Sequence, residues 1–293
     1  MGKDLAERFP AARDVFAAID DALGVHLSRY MWAGPEAELN LTHNAQPAIL
    51  AHSVAVHTVV GDKLGPVGAA AGHSLGEYSA WVTTGALKAT DAARLVRRRG
   101  ELMLEAGTRR PGAMAAVLGL ATADVTAACA EASTNESVAV AANLNAPDQT
   151  VISGDPAAVE RAGAGCKAKG AKRVIPLKVS GAFHSPLMEP AVAGLRQTLE
   201  TAGFAEPAFP VVANASAQAV RSPAEAKRLL AEQLTAPVRW VECMTEAARL
   251  APGARFLEIG PGNVLSGLLK RIVPGAQSVT LGTADEVERF LNV

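Results

Sequence analysis

The feature that most constrains this chain is the pentapeptide Gly72-His73-Ser74-Leu75-Gly76, a G-x-S-x-G sequence between a short apolar run and a helical segment. Val67 to Ala71 reads as a buried strand of small residues, and Leu75 to Thr84 as the helix that follows it. A serine in that context sits on a tight turn. Glycines on both sides let the backbone bend sharply, which lifts the Ser74 hydroxyl clear of a sheet and onto a helix N-terminus. The Leu75 amide can then face a developing oxyanion. A glycine-rich turn with an ordinary serine has the same spelling, so the strand–turn–helix context is what favours a nucleophile. The turn needs a sheet beneath it, and the fold class that follows is α/β.

Alternation along the chain agrees. Asp4 to Leu23 carries apolar residues at helical spacing, Asn44 to Val60 forms a second, more buried helix, and a third runs from Thr90 to Ala106. After Gly112 the texture changes: strand Met114–Leu120, helix Thr122–Ala132, strands Ser137–Asn143 and Gln149–Ser153, helix Asp155–Lys169, strand Ala171–Val179. That order, β-α-β-β-α-β, is the split arrangement of a ferredoxin-like unit. Residues 112–179 are therefore expected as an insertion, with 1–111 and 180–293 forming the larger domain. Helix Ser185–Ala202, strand Phe209–Asn214, helices Ala224–Leu234 and Val238–Leu250, strand Arg255–Ile259 and a final helix complete it. Strands alternating with helices predict a mostly parallel sheet there.

Composition removes other classes. With 28 basic and 29 acidic side chains, the formal net charge is −1, so bulk attraction to nucleic acid or an anionic membrane is excluded. A 49% apolar content rules out a disordered chain. The apolar stretch Pro47–Val60 is interrupted by His52, Ser53 and His57, which makes it a buried helix instead of a membrane span. Cys129, Cys166 and Cys243 show neither metal-ligand spacing nor an even disulfide framework, which predicts a reducing, cytoplasmic setting. Met1-Gly2-Lys3-Asp4 opens directly into a polar helical segment, with no leader expected.

A serine nucleophile needs a base. Of the six histidines, His26 and His43 precede the serine, His52 and His57 lie on a helix, and His73 adjoins Ser74 with its side chain directed away. His184 alone lies beyond the serine, in Ser180-Gly181-Ala182-Phe183-His184-Ser185, a loop between a strand and a helix where catalytic side chains are commonly displayed. A helix-capping histidine is the competing reading. In Arg97-Arg98-Arg99, helical spacing separates the third arginine: Arg99 shares a face with Leu95, Val96 and Met103. A guanidinium on an apolar face needs a carboxylate, and its planar fork suits a bidentate grip. That carboxylate is either an internal Asp or Glu or a free one on a substrate, and spacing leaves the two open.

Taken together these segments resemble the malonyl-CoA:acyl carrier protein transacylases and the acyltransferase domains of fatty-acid and polyketide synthases. The resemblance runs through G-H-S-L-G-E-Y at Gly72–Tyr78, R-G-E-L-M at Arg99–Met103 and G-A-M-A-A at Gly112–Ala116. It continues with N-L-N-A-P at Asn143–Pro147, G-A-F-H-S at Gly181–Ser185 and E-I-G-P-G at Glu258–Gly262. It implies a hydrolase-like α/β domain carrying the ferredoxin-like insertion. By the same resemblance Ser74 takes the malonyl group, His184 acts as base and then acid, and Arg99 holds the malonyl carboxylate. The Leu75 amide gives one oxyanion donor, the Gln233 backbone carbonyl orients His184, and Met103 and Asn143 line the pocket. Phe183 matches a bulky residue that crowds out substrates branched at C2. Implied partners are malonyl-CoA and acyl carrier protein, with a monomeric chain and no cofactor, metal, membrane or nucleic acid. Whether fatty-acid or polyketide synthesis is served stays open.

One departure stands out. The family's opening strand and F-P-G-Q-G-S-Q type loop, which carries a second oxyanion donor, have no counterpart before Met1-Gly2-Lys3-Asp4-Leu5. We read this as a start placed at an internal methionine, ahead of a purposeful truncation or an inactive relative. Two other functions use the same residues: a serine hydrolase or thioesterase with water as acceptor, and a weakly active scaffold that binds acyl-CoA or carrier protein. An acid beside His184 without a buried arginine marks the first. An empty groove where the opening strand should lie marks the second.

Overall fold

Pro10 shapes the opening of the chain. In the computed structural model, which describes residues 1–292, the single helix expected over Asp4–Leu23 is two: α1 (Lys3–Arg8) and α2 (Pro10–Leu23). Between them Phe9 is extended, because a proline excludes helical backbone from the residue before it. Two short helices that the apolar spacing does not announce follow, α3 (Leu27–Ala33) and α4 (Glu36–Leu39). Next comes α5 (Thr42–Val60), the buried helix expected from Asn44. Pro47 lies inside it and lacks the N–H that the His43 carbonyl would accept. Arg97 Nη1 donates to that carbonyl instead, at 3.4 Å.

The strand before the serine is shorter than its apolar run: β1 is Ala70–Ala71, and α6 (Gly76–Thr83) leaves the turn after it. The long helix α7 (Ala89–Arg109) buries Leu95, Val96, Arg99 and Met103 on one face, as their spacing predicts. The expected β-α-β-β-α-β run then appears as β2 (Ala113–Leu118), α8 (Thr122–Ala132), β3 (Ala139–Ala146), β4 (Gln149–Gly154), α9 (Pro156–Ala168) and β5 (Arg173–Pro176). These strands form a continuous antiparallel sheet in the order β3-β4-β2-β5. Val117, Ile152, Val125 and Val159 pack between that sheet and its two helices.

The remainder is α10 (Glu189–Thr201), β6 (Val211–Val212), β7 (Ala219–Val220), α11 (Pro223–Glu232), α12 (Trp240–Leu250), β8 (Phe256–Ile259), α13 (Val264–Ile272), β9 (Ser278–Leu281) and α14 (Ala284–Leu291). The strands β7 and β9 and the helix α14 lie beyond the sequence reading. One of them carries a legible start signal, since Thr283 and Glu286 form a reciprocal capping box at the head of α14.

Parallel pairing is present in β1·β6 and β8·β9, with β7 antiparallel beside β6. The mostly parallel sheet is nevertheless divided, because β1 and β8 belong to separate ladders. A channel of about 440 Å³ runs between them, lined by both strands and closed at the side by Trp240 and Met244. Parallel strands are normally buried on both faces; here β1 and β8 are only half-buried. Among the described residues no helix is long and apolar enough to cross a membrane.

Candidate active site

The turn at Ser74 closes tightly enough to dictate its residues. A Cβ on Gly72 would lie 1.9 Å from the Gly76 carbonyl oxygen, so no side chain fits there. Gly76 is different: a Cβ on it meets nothing within 4 Å, so only the first glycine of the pentapeptide is forced by space. Ser74 itself takes the strained, left-handed backbone, with φ at 53°. His184 does the same at φ 55°. Two left-handed non-glycine residues facing each other store about 1–3 kcal/mol each, a pattern that collects at functional sites.

Close packing delivers His184. At Gly107 of α7 a Cβ would fall 2.3 Å from the Ser180 carbonyl, so the 180–185 loop lies directly against that helix. The result is a hydrogen bond of 2.8 Å between Ser74 Oγ and His184 Nε2. On the other side of the ring, His184 Nδ1 lies 2.8 Å from the Gln233 carbonyl. A carbonyl only accepts, so Nδ1 carries the proton and Nε2 offers its lone pair to the serine hydroxyl. Burial, reinforced by the Arg99 charge, pushes the His184 pKa down to about 3, so the resting ring is neutral and ready to accept a proton.

Arg99 is 1% exposed and sits beneath the serine. Its Nη2 donates to Ser74 Oγ at 3.0 Å and to Gln233 Oε1 at 2.9 Å, and its Nη1 donates to Gln46 Oε1 at 2.6 Å. All three acceptors are neutral. Among the described residues Arg99 forms no ion pair, and its Nε has no hydrogen-bond partner. Burial lowers its pKa, while Tyr78 and Glu77 act in the opposite direction. Among the described residues the carboxylate demanded by the sequence is therefore not in contact with it, and at least one N–H remains unused.

The other expected residues take distinct places. The Leu75 amide stands at the head of α6 with no partner among the described residues. Met103 lies behind Arg99, where its Sδ accepts a hydrogen bond from Gln46 Nε2 at 3.5 Å, so it steadies the arginine's support instead of touching Ser74. Asn143 on β3 is buried and bridges to Val238, where the four-stranded sheet meets the larger part. Phe183 packs at that same seam, against Met114, Ala142 and Val151 on one side and the main core on the other. His73 points away from Ser74 as expected, its Nε2 2.8 Å from Asn145 Oδ1 and its ring against Trp240.

Sequence reasoning missed four participants. Gln46 is buried near the start of α5, and a polar residue leading into the apolar run from Pro47 was the available signal. Asn214 clamps the turn: its Oδ1 accepts the Ser74 N–H at 2.7 Å and its Nδ2 donates to the Gly72 carbonyl at 2.8 Å. Glu77, inside the G-H-S-L-G-E-Y segment, accepts from Gln233 Nε2 at 2.7 Å and from the Asn214 N–H at 3.0 Å. The side chain of Gln233 is the fourth, since only its carbonyl was anticipated. Nothing local marks Asn214 or Gln233, which reach the site through chain reversals far from Ser74.

A serine on a strained turn, a neutral histidine held by a carbonyl and a buried arginine with no ion pair among the described residues fit an α/β acyltransferase. Residues 1–284 match the family model described as acyl transferase domain. A malonyl CoA-acyl carrier protein transacylase of Bacillus subtilis is 42% identical over 289 residues, covering 98% of this chain and 90% of that protein. Its counterpart from Escherichia coli is 44% identical over 275 residues, covering 93% and 88%. The crystal structure of an acyl carrier protein S-malonyltransferase from Vibrio cholerae superposes with a TM-score of 0.93 at 41% identity, over 99% of this chain and 94% of that one. A malonyl-transacylase solved in complex with a type II polyketide-synthase acyl carrier protein gives 0.94 at 42% identity, over 100% and 94%. The chain belongs to the malonyl CoA-acyl carrier protein transacylase family of acyltransferases.

Proposed function

We propose that this chain transfers a malonyl group from malonyl-CoA to the phosphopantetheine thiol of an acyl carrier protein, through an ester on Ser74. The observation that carries the reading is Arg99: a buried cation, bonded to Ser74 Oγ and lacking a carboxylate of its own. A guanidinium in that state is completed by a carboxylate brought in by the substrate. The malonyl group carries one at the distance of a single methylene from its thioester.

The steps follow from the resting geometry. His184 Nε2 takes the proton from Ser74 Oγ as the oxygen bonds to the thioester carbonyl carbon. The Leu75 amide donates to the oxyanion. The carbon–sulfur bond then breaks, and His184 returns its proton to the CoA sulfur. In the second half the carrier thiol gives its proton to His184, its sulfur attacks the malonyl ester, and Ser74 Oγ leaves and recovers the proton. Met103 backs the arginine, Asn143 and Phe183 bound the acyl pocket, and the Gln233 carbonyl keeps His184 in the reactive tautomer. On this reading residues 112–179 are a subdomain inserted between 1–111 and 180–293, and the chain works as a monomer in the cytoplasm.

Intact-mass measurement after addition of malonyl-CoA tests it. A malonyl adduct is expected on the native chain, absent from Ser74→Ala and discharged by holo acyl carrier protein. An adduct that is lost to water as fast as to the carrier would make the chain a hydrolase instead. The hydrolase reading has no support in the geometry, since His184 leans on a carbonyl and the arginine is buried. The binding scaffold of low turnover has one supporting observation, the channel beneath the Ser74 turn. A stable adduct that the carrier fails to discharge would favour it.

A further inference from the structure

Arg99 is held by amides, and an amide can face either way. Gln233 presents Oε1 to Arg99 Nη2 at 2.9 Å and Nε2 to Glu77 Oε2 at 2.7 Å. If its side chain turned over, an NH₂ would face a guanidinium, two donors with nothing between them. Two acceptors on the far side prevent this, the Ser74 carbonyl, which accepts from Nε2 at 3.1 Å, and Glu77. Glu77 is 1% exposed, and its Oε2 accepts from two donors, Gln233 Nε2 and the Asn214 main-chain N–H. Because Oε2 accepts from both N–H groups, it favours one orientation of the Gln233 amide and aims its oxygen at the arginine.

We propose that Glu77 is a positioning residue that makes this site selective for acyl groups bearing a carboxylate, by locking the Gln233 side chain and through it Arg99. The inference rests on the malonyl-transfer reading of the site. Its physical content is a counter-charge set one amide away. A carboxylate touching Arg99 would occupy the N–H groups that a substrate needs. A carboxyl group behind Gln233 fixes the direction of the cation and stays off its unused N–H groups. The same oxygen, through Asn214, ties the arginine's support to the Ser74 N–H, so the acyl-binding group and the nucleophile share one anchor. A shift of about 1 Å in such a group can cost roughly a hundredfold in rate.

The test compares Ser74 loading by malonyl-CoA with loading by acetyl-CoA, which lacks the carboxylate, and reads the ratio of kcat/KM values. Glu77→Gln keeps the shape but can donate as well as accept, so the amide keeps only the Ser74 carbonyl as a fixed acceptor, and the ratio is expected to fall about tenfold. Gln233→Met cuts the relay while keeping the carbonyl on His184, and is expected to lower the ratio similarly. In an Arg99→Ala background, adding Glu77→Gln should leave the ratio where Arg99→Ala put it. A merely structural lesion slows both substrates by one factor and leaves the ratio alone. An unchanged ratio in folded Gln233→Met or Glu77→Gln, or a further fall in the Arg99→Ala background, overturns the inference. If the native chain forms no malonyl ester at all, the underlying reading fails and this inference with it.

Discussion

The four-stranded sheet and the divided parallel sheet are built from similar residues, small and apolar, yet they differ in how fully they are completed. In the first, β2, β4 and their neighbours pair along their lengths, and Val117 and Ile152 are fully buried. In the second, β1 and β8 each pair on one side, and the channel takes the other. Ser74 follows β1, and Asn214 follows β6 beside it, in the less complete region. Its order comes from a buried polar web, Glu77–Gln233–Arg99 and Glu77–Asn214–Ser74, in place of a continuous ladder. The contrast separates two ways of holding a backbone: repeated main-chain pairing, which tolerates side-chain change, and a few satisfied side-chain bonds, which do not.

The contrast is open to direct attack. His184→Ala should reduce Ser74 loading by about 10⁴-fold or more, measured as CoA release, because the base has no substitute nearby. Arg99→Ala should lower malonyl loading about a hundredfold and acetyl loading far less, and Arg99→Lys should fail to restore it, since a lysine lacks the fork. Equal losses for both donors would detach the arginine from the acyl carboxylate. Hydrogen exchange probes the strands themselves. By strand alternation the Leu257 and Ile259 amides point away from β9 toward the channel, and they should exchange about a hundredfold faster than Val151 and Ile152 of β4. Similar protection at both would erase the difference between the regions.

Smaller effects sharpen it. Asn145 reaches His73 from β3, so Asn145→Ala should cost about tenfold or less in loading, assayed as above. A loss as large as that of His184→Ala would move the catalytic centre of gravity into the four-stranded sheet. Acid should act on one region selectively. Burial holds His184 and His52 at about 3 and 4, below the usual 6.5, so the unfolded chain binds protons that the folded chain refuses. Their stability contribution is present above about pH 6.5 and is lost as pH falls toward 4. Glu77, raised to about 7 by burial, works in the opposite direction between 4.5 and 7, one carboxyl against two imidazoles. No histidine lies between residues 113 and 176. Thermal melts followed by exchange should therefore show the parallel region losing Tm by a few degrees between pH 7 and 5, with β2–β5 unmoved.

Much of the fold could be read in the residues wherever a signal was local. The run β2 to β5 closes within consecutive segments, so apolar period and turn residues locate it to within a few positions. The parallel region is harder, because its strands are two to four residues long and take their partners from distant segments. Within Val67–Ala71 and Phe209–Asn214 only Ala70–Ala71 and Val211–Val212 pair, since apolar character continues where pairing stops. The break at Phe9 could have been taken from Pro10, and α14 from its Thr283–Glu286 box.

At the site the division is similar. The sequence by itself determined Ser74, through a turn whose residues are fixed by local geometry, and set Arg99 inward, through a helix period of 3.6. It singled out His184 as the candidate base by position and exclusion. Only the tertiary structure decided that Arg99 has no carboxylate in contact among the described residues, that Gln233 serves it as well as His184, and that Glu77 and Asn214 hold the turn. Those are pairings between residues up to 159 positions apart, as in Gln233 Nε2 donating to the Ser74 carbonyl. Spacing along a chain encodes which face a side chain occupies. Which acceptor meets it there is decided by packing.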